Sequence, residues 1–235
     1  MKPVWLIAGN FLREQRWPIV ILLSWVGLLL AATGFSDLRR TPEDLFMLFQ
    51  QVAVYVLVFS LFFGASAIRN DLRTRRILAV LSKGISRRQY IAGLLLGIVI
   101  AIVIYCLALG GAGAWVLPQI GVPALRFWFL LAGLLAASLL TACLALFFSI
   151  FLHPLLATGA TAVILGAPLL LEALWKSNWA AVIPVYAILQ GFFNLSGSNA
   201  GLASWLIVLA LGETALLWLA SAWLFSWKDV AVAVE

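Results

Sequence analysis

Charge is scarce in this sequence. Of its 235 residues only 10% are Asp, Glu, Lys or Arg, where a soluble domain keeps about a quarter charged to hold its surface in water. That deficit excludes a water-soluble enzyme and a disordered tail. Cysteine and histidine are also rare: Cys106 and Cys143 both fall inside apolar runs, no CxxC is present, and His153 is the single histidine. Neither a disulfide framework nor a metal site follows from so few ligands. The chain has no GxxxxGK[ST] phosphate cradle, no GxSxG and no HExxH. Nucleotide binding of the usual kind and intramembrane catalysis are therefore not expected, and the chain is read as a non-enzyme with no bound cofactor and no metal.

What is abundant is oil. Apolar residues make up 65% of the chain and the mean hydropathy is +1.11, so the solvent is a bilayer. At about 20 residues per crossing of a ~30 Å hydrocarbon layer there is room for about six spans and no separate catalytic domain. Apolar runs at 18–35, 45–68, 91–116, 127–152, 154–174 and 202–227 supply them. The expectation is an all-α, polytopic membrane protein forming a single transmembrane domain over 1–235. His153 and Pro154 separate the fourth and fifth runs, predicting a tight helical hairpin capped near His153. Residues 19–32 have the apolar character of a leader, and their retention is expected.

In the first 17 residues, Val4, Ile7, Ala8 and Phe11 share a helical stripe, predicting an amphipathic interfacial helix on the membrane surface. Basic residues set the orientation. Eleven of the 15 Lys and Arg fall on one side, including Lys2, Arg13, Arg16, Lys228 and the seven within 69–88; Arg39, Arg40, Arg126 and Lys176 fall on the other. Retention of positive loops in the cytoplasm places both termini there, in a bacterial or archaeal inner membrane, and makes nucleic acid an unneeded explanation of the +6 charge. The outer loop 175–201 carries Pro184 and a short apolar stretch at 185–193, predicting a re-entrant or interfacial helix before the last span, with Trp175, Trp179 and Tyr186 at headgroup depth.

The informative segment is the inner loop 69–90. Ile77, Leu78 and Leu81 have i, i+3 and i+4 spacing, and Arg73, Arg75 and Arg76 supply a basic side, so a short amphipathic helix is expected. Gly84 can end it, and Ser86 with Gln89 forms a capping box that starts the third span. A helix, a stop and a fresh cap make an elbow able to carry force from a soluble partner; a basic loop resting on anionic lipid accounts for the spacing about as well.

Asp71, Leu78, Leu81, Ser82, Ile85, Ser86, Arg87, Gly93 and Gly97 together resemble the cytoplasmic loop of ABC-2 type permeases, including those similar to the nitrous-oxide-reductase maturation permease. The sequence departs from that pattern at Arg75-Arg76, where Gly-Thr is usual, at Gly84 in place of proline, and at Leu94 in place of lysine. The resemblance implies an exporter permease paired with a second permease chain, identical or not, with two copies of a separate ATPase docked beneath and holding ATP and Mg. It assigns ATPase coupling to Asp71, Arg73, Arg75, Arg76, Ile77, Leu78, Leu81, Ser86, Arg87 and Arg88, with surface-helix contacts from Arg13 and Arg16.

Other polar residues have two readings. Glu213, midway along the last span, is a proton or substrate contact or a hydrogen-bonded strut. In the first case the chain is a proton-coupled secondary transporter; a non-transporting scaffold or sensor is a third class. Gln50, Gln51, Tyr55, Thr158 and Thr161 line a path or bond helix to helix. Gly93 and Gly97 are assigned to packing, Glu172 to ordinary exposure, and the 194–196 sequon to chance. The interfacial tryptophans suit a lipid or other hydrophobic cargo and equally suit simple anchoring.

Overall fold

The apolar runs fold into helices because a backbone in lipid has only its own carbonyls to bond. A computed structural model describes residues 2–35, 42–73, 77, 85–116, 124–175 and 200–227. All of its regular structure there is helical: α1 Lys2–Glu14, α2 Arg16–Phe35, α3 Pro42–Arg73, α4 Arg87–Val116, α5 Ala124–Ser149, α6 Pro154–Trp175 and α7 Ala200–Trp227. Four of these hold stretches long and apolar enough to cross a membrane: Gln51–Leu72, Arg87–Trp115, Phe127–Ser149 and Ser204–Trp227. The described apolar stretches of α2 and α6, Arg16–Leu28 and Pro154–Ala167, are shorter. Of the loop expected over 175–201, residues 176–199, with the expected short helix, lie outside the described residues.

Local chemistry explains where helices break. At Gln15 the chain turns from α1 into α2 while its backbone bonds continue, Gln15 N–H to Phe11 C=O at 2.9 Å and Ile19 N–H to Gln15 C=O at 3.0 Å. Pro18, four residues after Glu14, has no N–H to give that carbonyl, so the ladder lacks a bond where the chain bends. The expected hairpin between the fourth and fifth runs is present. Residues 150–153 reverse the chain through bonds from the Phe151 and Leu152 N–H groups to Phe148 C=O, and the Leu155 N–H donates to His153 Nδ1 at 3.4 Å. Histidine thus caps α6, as its place beside Pro154 predicts.

The bundle is built around α5, which packs against α3, α4, α6 and α7, most extensively against α3. Small residues make this possible: Ala136, Ala137, Ala142, Cys143 and Ala145 are all buried on α5. Where α3 crosses it, a methyl group at Gly64 would overlap the Ala142 carbonyl oxygen and lie 2.9 Å from Ala145 Cβ. At the other end of the bundle, Gly110 and Gly113 of α4 receive the rings of Trp128 and Phe127. Buried hydroxyls bond back to the preceding turn, as Ser60 does to Val56 C=O at 2.6 Å and Thr141 to Ala137 C=O at 2.8 Å, which satisfies them without a second helix.

Helix α3 and helix α4 run antiparallel. The Tyr105 hydroxyl donates to Val52 C=O at 2.8 Å near one end, and Tyr90 meets Asp71 near the other. We call the end that carries Arg69, Arg87 and Arg88 the basic end. Exposed tryptophans stand at both ends, Trp17, Trp223 and Trp227 toward the basic one and Trp115, Trp128 and Trp205 toward the other, the distribution that an amphipathic ring adopts at two membrane interfaces.

Candidate functional site

The flanks of the 69–90 segment meet the end of the last helix. Ser86 and Gln89 form the capping box that their spacing predicts: the Ser86 N–H donates to Gln89 Oε1 at 3.2 Å, and the Gln89 N–H to Ser86 Oγ at 3.3 Å. Two donors that α4 would leave orphaned are thereby satisfied, and the start of the helix is fixed. One turn on, Tyr90 is fully buried and its hydroxyl donates to Asp71 Oδ2 at 2.6 Å. Its ring stacks on Phe225 of α7, centroids 5.7 Å apart and planes 26° from parallel.

Arg87 completes the junction. Its Nη1 donates to the carbonyls of Phe225 at 3.4 Å and Ser226 at 3.2 Å. These belong to the last turn of α7, where carbonyls lack intrahelical partners and the helix dipole is negative. A guanidinium there contributes about 0.3–1 kcal/mol, and more when partly buried. Asp71, at the end of α3, is 9% exposed, so its carboxylate depends on such donors: an unmade bond at a buried polar group costs about 1–3 kcal/mol. Three helices are thus tied by one tyrosine and one arginine. Ile77, 1% exposed, packs into the same core.

No family model and no curated protein matches the chain. The site rests on its own geometry.

Against that geometry the sequence candidates separate. Asp71, Arg87 and Ile77 come together or into the adjoining core, and Ser86 sits at the cap. Arg88 is exposed beside them. Arg75, Arg76, Leu78 and Leu81 lie outside the described residues, as does the side chain of Arg73. Tyr90, Phe225 and Ser226 were not among the site residues expected from sequence. The available signal was a tyrosine opening an apolar run, where a polar tip needs a partner.

The path candidates do not converge on one described site. The side chain of Gln50 is outside the described residues, and Gln51 is exposed. Tyr55 stacks on Trp25 of α2 at 5.1 Å. Thr161 is buried and bonds back to Ala157 C=O at 2.8 Å, with Thr158 half-buried one turn before. Glu213 is half-buried on α7. Among the described residues no group of three His, Cys, Asp or Glu is placed to hold a metal ion.

Helix α1 belongs to the same end. Its stripe of Ile7, Ala8 and Phe11 is buried against α4, the helix it chiefly contacts. A Cβ on Gly93 would lie 2.7 Å from Ile7 Cβ, and one on Gly97 would lie 2.8 Å from the Phe11 ring. The two glycines are therefore the seat of α1, which gives their packing role a partner. Phe11 also meets Phe63 of α3 edge to face at 6.1 Å.

Proposed function

We propose that the chain is the membrane permease subunit of an ATP-driven exporter, moved by a separate ATPase that grips the 69–90 segment from the cytoplasm. The observation that carries this reading is the junction itself: the two described flanks of the 69–90 segment, Asp71 near the end of α3 and Arg87 and Tyr90 at the start of α4, are fastened to each other and to α7. A push on the segment is then delivered to three helices together. Arg75 and Arg76 offer guanidinium groups for acidic residues on the motor. ATP and Mg reside on that motor, since this sequence has no phosphate cradle.

In this reading α2 and α6 complete a set of six spans, both termini are cytoplasmic, and two permease chains face each other across a path for a lipid or another hydrophobic cargo. The test is purification of the full chain in mild detergent, followed by native mass spectrometry and a nucleotide-hydrolysis assay. A hydrolysing subunit should travel with the chain, and Arg75→Glu with Arg76→Glu should weaken its retention. Hydrolysis-free transport by the purified chain would overturn the reading.

A second reading draws on Glu213, a half-buried acid in the middle of α7 with no hydrogen-bond or ionic partner among the described residues. It makes the chain a proton-coupled carrier. Transport would then follow a pH gradient, survive ATP depletion and disappear in Glu213→Gln.

A further inference from the structure

The register of α1 on α4 decides what Arg13 and Arg16 face. Phe11 is seated at Gly97 and against Phe63. At 1.5 Å per residue, Gly97 stands about 10 Å above Tyr90, and Phe63 about 12 Å above Asp71, in the direction of the opposite end. A third contact gives the same height. Trp25 stacks on Tyr55, about 24 Å above Asp71, and Arg16 lies about 13 Å back along α2. Arg13 and Arg16 therefore sit about 10 Å nearer the bilayer centre than the Asp71–Tyr90 junction.

Both arginines are exposed, while Glu14 between them is half-buried. Arg16 lies over the ring of Trp17 at 5.8 Å, and Trp17 is itself 65% exposed. The cation–ring pair and the adjoining Arg13 look outward from the bundle at the depth where the aromatic belt begins. An exposed guanidinium there is costly unless it meets an anion, and its long stem can reach back to the phosphate layer.

We propose that Arg13, Arg16 and Trp17 form a binding site for the phosphate of anionic phospholipid headgroups. The guanidinium forks take phosphate oxygens, and the indole ring lies along the glycerol and upper acyl chain. This site stands independently of the exporter reading and removes Arg13 and Arg16 from the docking surface of any motor. Residues 7–11 anchor it to α4, so lipid composition acts on the same helix that begins at the Ser86 cap.

The test is thermal unfolding of the full chain in nanodiscs of phosphatidylcholine alone and in an equal mixture with phosphatidylglycerol. Wild type should melt higher in the mixture, by on the order of 2–4 °C. Arg13→Gln with Arg16→Gln should lose most of that increment, Lys at both positions should restore part of it, and Arg69→Gln with Arg88→Gln should keep it. An increment retained by the Arg13/Arg16 variant, or lost equally by both pairs, overturns the proposal. Native mass spectrometry of the wild-type chain released from the mixed discs provides a check that needs no variant. Phosphatidylglycerol should be enriched over phosphatidylcholine, and equal retention counts against the site. If the Arg13→Gln/Arg16→Gln chain keeps its lipid response but loses copurifying nucleotide hydrolysis, these arginines touch a motor and the lipid assignment fails.

Discussion

Gly64 gives the sharpest test of how this bundle is held together. In water, apolar helices are pushed together by the solvent. In lipid that drive is absent, so close contact between helices carries their association. The Gly64→Ala change adds one methyl group that would overlap the Ala142 carbonyl oxygen and press on Ala145 Cβ. Neither can rotate aside, because one is backbone and the other is the only side-chain carbon of its residue. Helix α3 must then withdraw from α5 along the most extensive interface in the fold.

Overpacking of this kind costs about 1–3 kcal/mol, and a rigid obstacle belongs in the upper half of that range. Alanine returns about 1 kcal/mol of helix propensity over glycine. The net expectation is a loss of about 1–2 kcal/mol, or a fall in melting temperature of roughly 2–8 °C for a chain of this size. Gly111→Ala supplies the comparison, since nothing lies within 4 Å of a Cβ there and only the propensity gain remains. Tryptophan fluorescence during heating in detergent reports both variants. A Gly64→Ala protein that melts at or above Gly111→Ala would refute the close α3–α5 crossing.

Three further outcomes follow from the basic end and the core. Tyr90→Phe keeps the ring on Phe225 but removes the donor to Asp71, and should destabilise by about 1–3 kcal/mol, read as a lower melting temperature; Phe225→Ala should add to it nearly in full, because the ring contact it removes is still present in Tyr90→Phe. Gly97→Leu should unseat α1, so that trypsin cuts after Arg13 and Arg16 faster than in wild type, with the cleavage products identified by mass. Cys106 and Cys143 are buried and free, and should react with a maleimide only after denaturation; prompt labelling of the folded chain would show the α4 and α5 packing to be wrong.

The sequence by itself determined the solvent and the element type. Sparse charge and long apolar runs admit only a bilayer, and a backbone in a bilayer bonds to itself, so the all-helical fold was legible before any contact was known. Local signals at fixed spacing were legible too. The Ser86–Gln89 cap and the His153–Pro154 turn depend on neighbours within four residues, and both are present as expected. The tertiary structure alone decided which surfaces meet. In a chain that is apolar on nearly every face, hydrophobic periodicity no longer points inward, so the central place of α5 among four other helices and the tie from Tyr90 and Arg87 to Phe225 and Ser226 left no trace in spacing. The seat of α1 on Gly93 and Gly97 was hidden for the same reason. A small-residue pair marks where helices can approach closely, but its partner is chosen by shape, and shape arises only when the helices are packed.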